Sequence, residues 1–365
     1  MTYVSACRLP QRSTTIRNEH LENTSHNRVM VLDDHPSGRP ALQVLIVADD
    51  LTGACDAAVA FAVGRGSVSR VQAVSTESRD LAKQEIVQRM QSIARAEGHA
   101  DLIFKKIDST LRGNVEAEIA AAMDAFQCDG AIITPAFPDM GRAVKEGHLH
   151  VDGVRVRYAG AGMMDAVTNQ DLDRLVEEGL KMEGRVLWAG SGGLAAALAR
   201  RLCGTLQPRH APTINGPVAF CIGSDHPATQ AQHAELVRRF PDAMIVPIVL
   251  GKTTASEIRQ SLQGAGALFI TGGDTASVVL RAVGAREIAV QQEVVTGVPW
   301  GLLFGGQFDG YPVVTKSGGF GGRDALISVG GFFPSSGGPA DTEPPPCTSD
   351  VRVLIPALQT VQQPS

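Results

Sequence analysis

Short β-branched, apolar runs recur along this chain, each ending in a cluster of Asp, Lys, Ser or Gly and each followed by a segment of helical period. Gln43–Ala48 (QVLIVA) is the clearest of them. It is too short for a helix and apolar almost throughout, as a strand covered on both faces must be. Small residues run from Thr52 through Ala62 and stop at Gly64 and Gly66, which reads as a helix. Val68–Val74, Asp101–Ile107, Gly130–Thr134 and Arg185–Trp188 are further strands. Between them Ile86, Met90 and Ile93 share one helical face, with Ser78 as candidate cap. Val115, Ile119, Met123 and Phe126 share another, with Asn114 as candidate cap. Gly193–Leu202 is an alanine-rich helix. This βαβα order predicts parallel strands with helices on both faces.

Gly204–Pro217 (GTLQPRHAPTINGP) is rich in Pro, Gly and Thr and reads as a linker. Beyond it the alternation restarts: strand Val218–Ile222, helix Ala228–Phe240, strand Met244–Val249, a helix from Thr254, strand Ala267–Thr271 and a helix from Thr275. The expected fold class is therefore α/β, with two α/β domains of largely parallel sheets at residues 42–205 and 216–333. Residues 1–41 are polar without a sustained apolar period, and 334–365 contain Ser335–Pro339 and Pro344–Pro346. Both are expected to be disordered tails. Arg8, Arg12 and Arg17 without an acid give the first stretch a faint likeness to a transit peptide. No apolar face accompanies them, so a tail, or a start at Met30, is the preferred reading.

Several function classes are excluded by composition. The chain carries 33 basic and 38 acidic residues, which argues against a general nucleic-acid binder. Aromatics are only 5%, too few for base-stacking platforms. No apolar run reaches the roughly 18 residues that span a membrane. The 6 cysteines form no CxxC pair, so a zinc ribbon or dithiol motif is out, and thinly spread thiols suggest a cytoplasmic protein.

The strand ends carry the chemistry. In an open α/β sheet ligands gather at the carboxyl ends of strands. The first strand ends in Asp49-Asp50-Leu51-Thr52-Gly53. Two aspartates there would repel a pyrophosphate, so this turn is no dinucleotide fingerprint. It suits hydroxyls, a general base or Mg²⁺, although a bare aspartate pair is more often a helix cap beside a solvated carboxylate. The second strand ends in Ser75, Thr76 and Arg79. The third ends in Lys105-Lys106-Ile107-Asp108-Ser109-Thr110-Leu111-Arg112-Gly113-Asn114, whose cations, carboxylate and hydroxyls fit an anionic polyol. Polar groups at three successive strand ends are harder to dismiss than any single motif.

In the second half, Gly223-Ser224-Asp225-His226, Gly272-Gly273-Asp274-Thr275 and Ser317-Gly318-Gly319-Phe320-Gly321 each follow a strand. One such cluster is an ordinary turn. Three in one domain suggest a cradle for nucleotide phosphates, where backbone N–H groups approach closely. Other signals fail. Gly251-Lys252-Thr253 has Val246 where a P-loop needs its first glycine. Gly190-Ser191-Gly192-Gly193 lacks the spacing of a nucleophile elbow and reads as a close-packed turn. His148 and His150 lack a third metal ligand.

Taken in order, ADDLTGA, KKIDSTLRGN, TPAFPDMGR, GHLHVDG, GSDH, TGGDTA and KSGGFG resemble the four-carbon acid sugar kinase family, from about Gln43 to Asp324. The resemblance implies an N-terminal substrate domain and a C-terminal nucleotide domain. It also implies ATP-dependent, Mg²⁺-dependent phosphorylation of threonate, erythronate or 3-oxo-tetronates. It places Asp49, Asp50, Arg79, Lys106, Ser109, Thr110 and Arg112 on the sugar-acid side, and Ser224, Gly272, Gly273, Asp274, Thr275 and Gly318 on the nucleotide side. Lys106, Arg112 or Arg79 would hold the substrate carboxylate, and Asp108 or Asp50 would accept the attacking hydroxyl's proton. No metal ligand is assigned. The implied partners are the sugar acid and ATP, with neither nucleic acid nor membrane, and a homodimer is compatible. One departure stands out: Val154 to Asp165 is short where the family carries a longer insert. A non-catalytic, ligand-binding relic of that family is therefore the competing reading, and a dehydrogenase is disfavoured by the acidic first turn.

Overall fold

The computed structural model describes residues 42–62, 67–158, 160, 162–203, 210–334 and 350–356. β1 (Leu42–Ala48) leads to α1 (Leu51–Ala62), and β2 (Val68–Ser75) to α2 (Lys83–Glu97). β3 (Leu102–Lys106) precedes α3 (Val115–Ala125) and β4 (Gly130–Thr134). A meander of β5 (Arg142–Lys145), β6 (His148–Val151) and β7 (Val154–Arg155) forms a separate small sheet. α4 (Asn169–Gly179), β8 (Val186–Gly190) and α5 (Gly192–Cys203) complete the first half. The second half runs β9 (Val218–Ile222), α6 (Pro227–Arg239), β10 (Ile245–Pro247), α7 (Ala255–Ser261), β11 (Ala267–Thr271) and α8 (Gly273–Ala282). It continues through the hairpin of β12 (Glu287–Val295) and β13 (Val298–Phe304), then β14 (Pro312–Lys316) and α9 (Ala325–Gly330), and β15 (Val351–Leu354) follows.

The α/β class and the parallel strands are as the sequence leads one to expect. The two halves, however, share one 12-stranded sheet, in the order β10-β9-β11-β14-β13-β12-β15-β2-β1-β3-β8-β4. β15 is the join: it pairs parallel to β2 and antiparallel to β12. This corrects the expectation of a loose tail over 334–365. Val351 and Val353 are buried while Arg352 lies over the Phe304 ring at 4.4 Å, so a four-residue alternating strand packs despite its proline-rich surroundings. The remainder of the expected tails, 1–41, 335–349 and 357–365, lies outside the described residues.

Register brings the strand ends into line. Ala48 pairs with both Ser75 and Lys106, Gly190 with Lys106 and Thr134, and Thr271 with Ile222 and Lys316. α1 packs against α5, α8, β12 and β15 and so contacts both halves. Its run of Ala and Gly permits that close approach, and nearly every residue in it is buried.

Two caps differ from expectation. Ala82, not Ser78, precedes α2. Ser78 instead donates to the Glu118 carboxylate and lies 2.5 Å from Thr76 Oγ1. Asn114 holds the N-cap position of α3 but spends its amide on the carbonyls of Arg79 and Leu81, at 3.1 and 2.9 Å, which ties the loop after β2 to α3.

Candidate active site

The ends of β1, β2 and β3 form a knot of charge. Arg79 donates from Nε and Nη2 to Asp49 Oδ2 at 2.9 and 2.7 Å, and Nη2 lies 2.8 Å from Asp50 Oδ2 and 3.6 Å from Asp108 Oδ2. Asp50 Oδ1 also accepts from Gly53 N at 2.5 Å and from Thr52 Oγ1 at 3.2 Å. Burial, and then the charge of Asp49, push the Asp50 carboxyl above its ordinary range, with Arg79 opposing.

Asp108 behaves in the opposite way. Its Oδ2 accepts from Arg112 Nε and Nη2 at 3.1 and 2.6 Å, and its Oδ1 from Thr110 N and Oγ1 at 2.8 and 2.5 Å. Burial alone would raise it, but those hydrogen bonds and the Arg112 charge hold it well below the usual carboxylate range. The same bonds wrap the turn in which Leu111 sits at φ 61, a left-handed conformation a leucine adopts only when held. Ser109 is buried at this turn.

Lys106 does not join Arg79 and Arg112. Its Nζ donates to Ile107 O at 2.9 Å and lies 3.6 Å from Asp56 Oδ2, beneath α1. Lys105 pairs with Glu118 at 2.9 Å in the core.

The glycine clusters of the second half meet this knot. Gly272 takes φ 100, open to glycine, and Gly273 begins α8. A Cβ on Gly273 would fall 2.5 Å from Asp50 Oδ2, one on Gly318 2.4 Å from Ser224 Oγ, and one on Gly223 2.4 Å from Thr275 Oγ1. Ser224, Gly272, Gly273, Thr275 and Gly318 are thus gathered at one place, opposite Asp50. Thr52 and Ser317 hydroxyls meet across the halves at 3.2 Å. Asp49, Asp50, Arg79, Gly273, Asp274 and Ser277 surround a cavity of about 60 Å³ at the junction, room for a few waters only.

Residues that sequence reasoning did not assign shape the loop after β14. Lys316 Nζ donates to Thr229 Oγ1 and to the carbonyls of Ser317, Gly318 and Phe320 at 3.0–3.2 Å. Gln232 Nε2 holds the carbonyls of Phe320, Gly321 and Gly322 at 2.9–3.0 Å. Burial lowers the Lys316 ammonium to about 7. Facing the loop from the first half are Phe137, 6.2 Å from the Phe320 ring, and Arg142, 5.6 Å above it. The buried Arg142 Nε has no hydrogen-bond partner among the described residues. Lysine in KSGGFG and arginine in TPAFPDMGR were visible signals, since both lie inside segments already singled out. His226 caps α6, accepting from Ala228 N at 3.2 Å, and lies beside Gly319.

Family models divide along the same lines: a sugar-binding N-terminal domain matches residues 44–161, and a nucleotide-binding C-terminal domain matches 249–326. A D-threonate kinase of Bordetella bronchiseptica is 32% identical over 393 aligned positions, covering 77% of this chain and 95% of that protein. The chain belongs to the four-carbon acid sugar kinase family. A D-erythronate kinase of Heliobacterium modesticaldum is 24% identical, covering 78% of this chain and 95% of that one, and other relatives are named 3-oxo-tetronate kinase. The 393 aligned positions exceed all 365 residues of this family member, so the Bordetella relative has substantial stretches without a counterpart here. A solved Haemophilus influenzae protein of the DUF1537 family shares the fold, with a TM-score of 0.54 at 20% identity over 79% of this chain and 100% of that one. Among the described residues no helix is long and apolar enough to cross a membrane, and no cluster of three or more His, Cys, Asp or Glu could hold a metal ion.

Proposed function

We propose that this kinase-family protein transfers the γ-phosphoryl group of ATP to a hydroxyl of a four-carbon sugar acid. One observation carries the reading: the Asp50 carboxylate, from the sugar-binding half, abuts Gly273 in the glycine turn of the nucleotide-binding half. Acceptor hydroxyl and phosphate must meet at such a junction, and phosphoryl transfer asks chiefly for positioning and charge stabilisation.

Asp50 rather than Asp108 fits the base. Its raised proton affinity favours taking the hydroxyl proton, whereas Asp108 is committed to Arg112 and Thr110. The hydroxyl oxygen bonds to the γ-phosphorus as the bond from that phosphorus to the ADP oxygen breaks, and the proton passes to Asp50. Arg112, half-exposed, and Arg142, with an unused Nε, are the cations available to a carboxylate or phosphate oxygen. Arg79 is neutralised by Asp49 and Asp50, so its role is to hold them in place. The carbonyls drawn inward by Lys316 and Gln232 would turn the N–H groups of the Gly318–Gly319 loop towards phosphate.

Mg²⁺ fits the same corner. Among the described residues Asp49 Oδ1 is buried without a hydrogen-bond partner, and Mg²⁺ commonly rests on one or two carboxylates plus phosphates. Asp49 would hold it, leaving the Asp50 carboxylate for the proton, and it would neutralise phosphate charge. The small junction cavity requires the halves to part for a sugar acid to enter. A coupled ADP-release screen over four-carbon sugar acids and their oxo forms tests the reading. Turnover on one of them supports it, while ATP binding without turnover on any supports the relic.

A further inference from the structure

A cavity of about 540 Å³ shares no lining residue with the junction. It lies between α1, α5, the turn at Phe137–Asp139 and the end of β12. Its volume is that of a small-molecule site. Val59, Ala60, Phe137, Ala196, Ala199 and Val295 supply apolar wall.

Three carboxylates face it: Asp56, Asp139 and Glu293. Asp56 is only 3% exposed, yet among the described residues neither of its oxygens accepts a hydrogen bond. The nearest cation, Lys106 Nζ, stands 3.6 Å from Oδ2. Gly192 opens the floor beside it, since a Cβ there would meet both Asp56 oxygens at 2.9–3.0 Å. The one arginine of the lining, Arg200, is spent on Asp173 at 2.7 Å. Among the described residues Asp139 accepts from the neutral Asn169 amide at 2.9 Å, and Glu293 from Gly297 N at 2.8 Å.

We propose that this cavity binds a small organic cation, with its ammonium group between Asp56 and Glu293 and its short apolar body against Phe137, Val59 and Val295. Charge excludes the alternatives. A carboxylate or phosphate would meet three acids and no free cation, whereas an ammonium supplies the donors that Asp56 lacks. The Phe137 ring borders the same space as an aromatic neighbour for a cation. Burial, against the Lys106 charge and with Asp50 and Asp108 adding, pushes Asp56 up to about 6. Burial, with the charges of Asp56 and Asp139 adding and Gly297 N opposing, pushes Glu293 up to about 7. An arriving ammonium would favour both anions, so binding releases protons near neutral pH. The inference does not depend on the kinase reading, because the cavity and the junction are separate.

The test uses the full chain and three probes of one length: n-butylamine, butyrate and 1-butanol, at matched ionic strength. The amine should raise the melting temperature and give a calorimetric isotherm, while the other two do neither. Glu293→Gln should weaken amine binding at least tenfold. Val295→Trp, at a half-buried position, should abolish it by filling the space while the thermal transition persists. No response to the amine, an equal response to 1-butanol, or amine binding unchanged in both variants would overturn the proposal and leave a water-filled cavity.

Discussion

Asp50 Oδ2 lies 2.5 Å from where a Cβ on Gly273 would stand, and that carboxylate is pinned by Arg79, Thr52 and Gly53. Glycine at the start of α8 is therefore required by a carboxylate from the other half. It is not required by its own backbone, which takes no left-handed angle. Gly273→Ala should displace the Asp50 carboxyl and lower kcat by about 10²-fold, the lower end of what a misplaced base costs. Calorimetry should find ATP affinity nearly unchanged. A large loss of ATP affinity with kcat intact would instead make this turn a phosphate site alone.

Asp50→Asn and Asp108→Asn should fail differently. The first removes the base, and kcat should fall by about 10²–10⁴ with sugar-acid affinity nearly intact. Because the Asp50 carboxyl is raised in the free protein, the acid limb of the wild-type kcat/KM profile should lie above the ordinary carboxylate range of about 4.

Asp108→Asn should show in stability. A carboxyl held below its unfolded value stabilises the fold fully above that value, near pH 4, and the contribution fades as pH falls through the folded value. The melting gap between wild type and Asp108→Asn should be steady above about pH 5 and narrow in acid. Replacing hydrogen bonds to a charged group should cost about 1.5–3 kcal/mol at neutral pH. A gap that does not change with pH would mean the carboxylate is not paired in solution.

Lys316→Met tests the glycine loop. Loss of the ammonium releases three carbonyls and Thr229, so nucleotide affinity should fall while sugar-acid affinity holds. Lys316 titrates at about 7 when folded and near 10.4 when unfolded. The unfolded chain thus binds more protons in between, and wild type should gain stability relative to Lys316→Met as pH rises from 7 towards 10. Parallel stability curves would show that Lys316 is not desolvated.

Removing residues 350–365 should lower the melting temperature severely or prevent folding. β15 buries two valines and pairs on both sides within the sheet, which at about 1.5–3 kcal/mol per valine rivals a large share of a domain's net stability. A truncated chain with an unchanged transition would show β15 to be dispensable.

How legible this was in the sequence depended on how local the cause was. QVLIVA and ALFIT are continuous apolar runs, and both became central strands. Val351–Leu354 was hidden because four alternating residues beside a proline run carry too little local signal, and its worth comes from two distant strands. The β12–β13 hairpin also carries little local signal. Its turn at Thr296-Gly297 is only two residues long, and Gln291, Gln292 and Glu293 interrupt the apolar pattern of β12. At the site, the grouping of Asp49, Asp50, Arg79, Asp108 and Arg112 followed from where strands end. The inward turn of Lys106 towards Asp56, and the loop-holding role of Lys316, depend on burial that no motif records. Asp56 itself sits in an alanine-rich helix that looked purely structural.

The most direct measurement is phosphorus NMR of the full chain incubated with ATP, Mg²⁺ and, in turn, D-threonate and D-erythronate, alongside Asp50→Asn. The account predicts a new phosphate-monoester resonance growing in step with ADP on one of these acids, and growth slowed by about 10²-fold or more with the variant. ADP accompanied only by inorganic phosphate, or no consumption of ATP with any four-carbon acid, would contradict it.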